Sequence, residues 1–78
     1  SSETIALEIL RAVPAAISAS PGLKLSIHAA PSVIDVINSS LKKTFKSLEK
    51  KLGLVIGLKP EPYNRIQSFQ IIPKKAKK

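Results

Sequence analysis

The segment from Pro31 to Gly53, PSVIDVINSSLKKTFKSLEKKLG, constrains the fold of this 78-residue chain more than any other stretch. Val33, Ile34, Ile37, Leu41, Phe45, Leu48 and Leu52 recur every three or four residues, giving an α-helix one apolar face that must be covered. Lys42, Lys43, Lys46, Lys50 and Lys51 fill the opposite face. A run with strand character lies on each side, LKLSIHA before and LVIGLKP after, so the centre of the chain reads strand, helix, strand.

Asp35 in the first turn and lysines towards the far end both suit the helix dipole, which supports one helix from Ser32 towards Leu52. Asn38-Ser39-Ser40 weakens its middle, because short polar side chains compete for the backbone. The alternative is a short helix ending near Asn38 and a second capped by Ser40. Pro31 suits a first helical turn, Ser32 is placed to satisfy a free backbone N–H, and Gly53 suits a left-handed C-cap.

Ser1 or Ser2, with Thr4 as the alternative, caps an earlier helix whose Ile5, Ile9, Leu10 and Val13 share one face. Pro14 either kinks this helix, which then runs to about Ser18, or ends it. After the Pro21-Gly22 turn, Leu23, Leu25 and Ile27 alternate with Lys24, Ser26 and His28, as in a strand buried on one face. Leu54 to Leu58 is nearly all apolar, the pattern of a central strand covered on both faces. Ile66 to Ile72 forms a third strand ending at Pro73, antiparallel because the connection is too short for a parallel crossover. The expected fold is α/β (α+β), a single small domain in the order helix, strand, helix, strand, strand. Its three-stranded mixed sheet carries the helices on one face, with a right-handed crossover between the first two strands. Residues 1–73 make this domain, and 74–78 form a basic, disordered tail.

A chain this short buries only about 60% of the surface its unfolded form exposes, so packing against something larger would help it. Thirteen Lys and Arg against five Asp and Glu give +8; without the four tail lysines, nine against five leave +4. That favours anionic neighbours, RNA or acidic protein surfaces, without selecting one. With no cysteine, disulfides, thiolate zinc sites and Cys–His catalysis are excluded within these residues, and a reducing cytoplasm fits. No apolar run approaches the roughly 18 residues of a membrane span, and the N-terminus lacks a signal-peptide pattern, so a soluble, cytoplasmic chain is expected.

His28 is the sole histidine and reads as an ordinary strand-end residue, not a catalytic base, which needs a positioned partner. Glu3, Glu8, Asp35, Glu49 and Glu61 are scattered and make no evident Mg²⁺ cradle. Gly22, Gly53 and Gly57 form neither a phosphate loop nor a dinucleotide fingerprint. No catalytic residue, metal or cofactor is therefore expected within the chain. Lys42, Lys46 and Lys50 repeat every four residues and, with Lys43, are the candidate RNA-backbone contacts; the plainer reading is a solvated helix face. With three aromatic residues in all, base stacking is poorly supported, and Tyr63 is expected to pack at a turn with its hydroxyl wet.

The two ends of the chain carry a resemblance. The opening SSETIALEILRA, with Glu3-Thr4 and then Glu8-Ile9-Leu10-Arg11, resembles the segment that follows the zinc-binding cysteine motif in the ribonuclease E/G family. The close, EPYNRIQSFQII, with Glu61-Pro62, Tyr63-Asn64 and Phe69, is similar to that family's ending, and the core between looks like its small domain. The resemblance covers residues 3 to 72 and departs at Pro14, which falls inside a helix the family keeps continuous, and at the terminal KKAKK. It implies a fragment of a larger Mg²⁺-dependent endoribonuclease that cuts single-stranded RNA in rRNA maturation and mRNA turnover. The parent's other domains would then be its partners, a zinc link and this small domain would assemble the oligomer, and the fragment itself would be inactive.

Overall fold

A computed structural model of the chain describes residues 1–75. Its elements are α1 (Ser2–Ala19), β1 (Lys24–Ala29), α2 (Pro31–Asn38), α3 (Lys42–Leu52), β2 (Ile56–Pro60) and β3 (Phe69–Lys74). The strands form one mixed sheet in the order β2-β1-β3, with β1 parallel to β2 and antiparallel to β3, and the helices cover one face.

Ser1 caps α1, its hydroxyl accepting from the Thr4 amide at 3.3 Å. Pro14 lies inside α1 without ending it. Its exposed position keeps the ring out of the core, while Ala6, Ile9, Leu10 and Val13 on the other side are buried. These meet Leu25, Ile27 and Ala29 of β1 and Val33, Ile34 and Ile37 of α2, with Phe45 and Ile56 completing the core.

The single long helix expected from Ser32 to Leu52 is two. The chain leaves the first at Asn38, where Ser39 turns its hydroxyl back onto the Asp35 carbonyl at 2.6 Å and both Ser39 and Leu41 amides donate to Val36. That is the backbone competition expected of short polar residues. Ser40 does not cap the second helix: Leu41 occupies that position with no side-chain bond. Ser32 does not cap α2 either, since Ala30 stands there, and its hydroxyl instead receives that of Ser2 at 3.0 Å.

Gly53 closes α3 at φ 70°, a left-handed conformation that would strain a side chain, and its amide donates to the carbonyls of Glu49 and Lys50. The chain then enters β2 two residues later than expected and at the edge of the sheet, not its centre. Val55, expected inside a doubly covered strand, is 75% exposed. β1 is the central strand because it is the one paired on both sides. β3 also begins later than expected and runs through Pro73 to Lys74, so Lys74 belongs to the sheet, not to a tail. Pro73 is tolerated because β3 is an edge strand whose outer side needs no donor. Lys75 follows the strand, exposed and outside any element, and residues 76–78 of the expected tail lie outside the described residues.

Glu49 secures the entry to β2. Its carboxylate is buried and accepts the Ile56 amide at 2.7 Å, and its second oxygen lies 3.5 Å from Lys46 Nζ. Removing that acceptor leaves a buried N–H unpaired, so Glu49→Leu is expected to cost about 1–3 kcal/mol in urea unfolding. Glu49→Gln, which keeps an oxygen in reach, should cost less, and Lys46→Ala should stay within about 0.5 kcal/mol. Equal midpoints for Glu49→Leu and the unsubstituted chain would contradict this role.

Candidate functional site

The sheet has two unlike faces, set by the alternation along β1. Leu25, Ile27 and Ala29 point beneath the helices, while Lys24, Ser26 and His28 point to the other side. On that outer face the register brings Gly57 beside Ser26 and Lys59 beside His28 from β2. From β3 it brings Lys74, Ile72 and Gln70 opposite Lys24, Ser26 and His28.

A chain of side-chain hydrogen bonds crosses this face. Glu61 Oε2 lies 2.6 Å from His28 Nδ1, and His28 Nε2 lies 3.0 Å from Ser26 Oγ. An ionised carboxylate only accepts, so Nδ1 carries a proton; in the neutral ring Nε2 then accepts the Ser26 hydroxyl. The Glu61 amide also donates to the Ala29 carbonyl at 2.8 Å, so residue 61 is tied to β1 through both main chain and side chain.

The order hydroxyl, imidazole, carboxylate is that of a nucleophile and its base, but the rest of such a site is not assembled. Ser26 is only 4% exposed, and β1 is paired on both sides, so its amides are committed to the two ladders and are not free to hold an oxyanion. What the arrangement does is lock the end of β2 onto β1 and hold the Ser26 hydroxyl at the floor of a groove. That groove has a volume of about 480 Å³ and is bordered by Lys24, Lys59, Lys74 and Lys75, with Gly57 and Val55 on its β2 side. A second groove of about 360 Å³ lies between α1 and α3, lined by Leu7, Leu10 and Leu48 with Arg11 and Lys51 at its margin.

Lys42, Lys43, Lys46 and Lys50 are all exposed on α3, as expected, and Lys46 leans towards Glu49. They stay together on the helix and do not join the sheet-face lysines. Tyr63 is half-buried beyond β2, where its amide donates to the Glu61 carbonyl. The sequence places His28 away from the apolar side and offers no evident partner for it; the structure supplies two. Ser26 is the signal within reach, two residues away on the same strand face. Glu61, 33 residues on, carries no local signal at all.

No family model, curated protein or solved structure matches the chain. No described helix is long and apolar enough to cross a membrane.

The hydrogen-bond chain predicts an unusual tautomer. In ¹H–¹⁵N long-range spectra above neutral pH, His28 should show its proton on Nδ1, and Glu61→Ala should move it to Nε2. An Nε2–H form in the unsubstituted chain would contradict the assigned pairing.

Proposed function

We propose that this chain is the C-terminal small domain of a ribonuclease E/G family endoribonuclease, contributing oligomer assembly to a parent that cleaves single-stranded RNA. The observation that carries this reading is the ordered pair of signatures, Glu3-Thr4 with Glu8 to Arg11, and Glu61 to Asn64 with Phe69, around a core of alternating helices and strands. It is supported by the packing of α1, which bears the first signature, against β3, where the second ends. It is supported too by the double attachment of Glu61 to β1, which gives the Glu-Pro of the closing signature a structural task.

The metals of such a parent do not fit these residues. A thiolate zinc link has no ligand in a chain without cysteine, and among the described residues no three His, Asp or Glu side chains converge. Zinc and Mg²⁺ would be held by the preceding domains, and RNA cleavage would need them. A second reading, a free-standing RNA- or ribosome-binding module, draws on the exposed lysines of α3 and of the outer sheet face.

The sequence encoded immediately upstream separates the two. The first reading expects a CPxC-type zinc motif directly before Ser1 and a pair of nuclease aspartates further upstream, and it expects the 78-residue chain alone to leave 5′-labelled single-stranded RNA intact in Mg²⁺. An upstream sequence with neither motif, or cleavage by the isolated chain, would overturn it.

A further inference from the structure

The outer sheet face carries a charge arrangement that the fold itself does not explain. Lys24 and Lys74 stand directly opposite each other across the antiparallel pair β1–β3. Like charges in that position repel and weaken the pairing. Lys59 extends the same face from β2, four residue steps along β1 from the Lys24–Lys74 pair, or about 13 Å at a strand rise of roughly 3.3 Å. All three are exposed, and among the described residues no carboxylate forms an ion pair with any of them. Glu61, just past the end of β2, is held by His28.

Between these lysines the surface is hollow for a specific reason. Gly57 leaves open the space above Ser26: a Cβ at that position would stand 3.5 Å from Ser26 Oγ, so any longer side chain would fill the groove. The floor beneath carries the Ser26 hydroxyl, and Val55 offers exposed apolar surface at the rim.

We propose that this face is a binding groove for the phosphate backbone of single-stranded RNA, with Lys24, Lys59 and Lys74 holding phosphates and Gly57 as the opening that admits the strand. An anionic strand would relieve the repulsion between Lys24 and Lys74, and lysines spread over about 13 Å along β1 suit an extended chain better than a compact ligand. The groove is free of aromatic rings, so it reads charge and shape and is indifferent to base identity. The choice of RNA over other polyanions rests on the proposed ribonuclease parentage; the groove and its charge do not. This site is distinct from the α3 lysines.

The test is a fluorescence-anisotropy titration of the full 78-residue chain with a labelled oligouridylate, about 12 nucleotides long, at two salt concentrations. The variant Lys24→Ala/Lys59→Ala/Lys74→Ala is expected to bind at least about tenfold more weakly. Its dependence of log K on log salt should flatten by about 2, at roughly 0.7 for each phosphate no longer neutralised. Its thermal midpoint should equal or exceed that of the unsubstituted chain, because the Lys24–Lys74 repulsion is gone, so weaker binding will not reflect unfolding. Gly57→Glu, on an exposed edge strand without positive φ, should weaken binding comparably while retaining the fold. Lys42→Ala/Lys46→Ala/Lys50→Ala and removal of residues 76–78 should each change affinity less than about threefold.

Binding by the sheet-face variant within about twofold of the original would overturn the proposal, as would loss confined to the α3 variant or to the truncation. Tighter binding of polyglutamate than of RNA at equal salt would overturn it as well. If the upstream motifs are absent and the groove still binds RNA, the parentage fails and the groove stands. If the motifs are present and the groove variant binds normally, the reverse holds.

Discussion

The pairing of β1 on both sides is the constraint on which the rest of the molecule depends. Its six residues decide what lies under the helices and what faces outward, because side chains alternate strictly along a strand. A slip of one residue would bring Ser26 and His28 into the core and turn Leu25 and Ile27 to solvent. The buried isoleucines and valines of α1, β1 and α2 therefore fix more than stability. They fix which polar groups meet on the other face, and so bring His28 to Glu61 and Lys24 to Lys74.

Two polar attachments hold β2 against this strand. Glu49 takes the amide at its start, and the Glu61 carboxylate binds His28 of β1 just past its end. An edge strand of five residues, most of them exposed, has little apolar surface to secure it, and these charge-assisted bonds supply the register that packing does not. The outer face can then remain hollow and basic. A well-packed helix side allows the sheet to keep Lys24 opposite Lys74, an arrangement that costs stability in the isolated chain.

Local signals in the sequence reach their targets where the deciding interaction is itself local. The cap at Ser1, the turn at Gly53 and the apolar stripe of α1 all depend on neighbours within a few residues. The division between α2 and α3 is harder to read because the apolar spacing from Ile37 through Leu41 to Phe45 continues in phase across the break at Asn38 to Ser40. The edge position of β2 escapes the sequence for a different reason. An apolar run such as Leu54 to Leu58 signals burial, but whether a strand has one neighbour or two is set by residues far away in the chain. The same distance hides the His28–Glu61 pair and the meeting of Lys24 with Lys74. The α3 lysines are visible as a run, whereas the sheet-face lysines come from three separate strands, and Lys74 opens a lysine-rich stretch that reads as a tail.

The most direct measurement is a ¹H–¹⁵N correlation spectrum of the chain recorded during titration with oligouridylate. A groove set by the register of β1 predicts that the shifted amides cluster at Lys24 to His28, Val55 to Lys59 and Ile72 to Lys74, with α3 little changed. Shifts concentrated between Lys42 and Lys50, or a spectrum that RNA leaves unaltered at low salt, would contradict it.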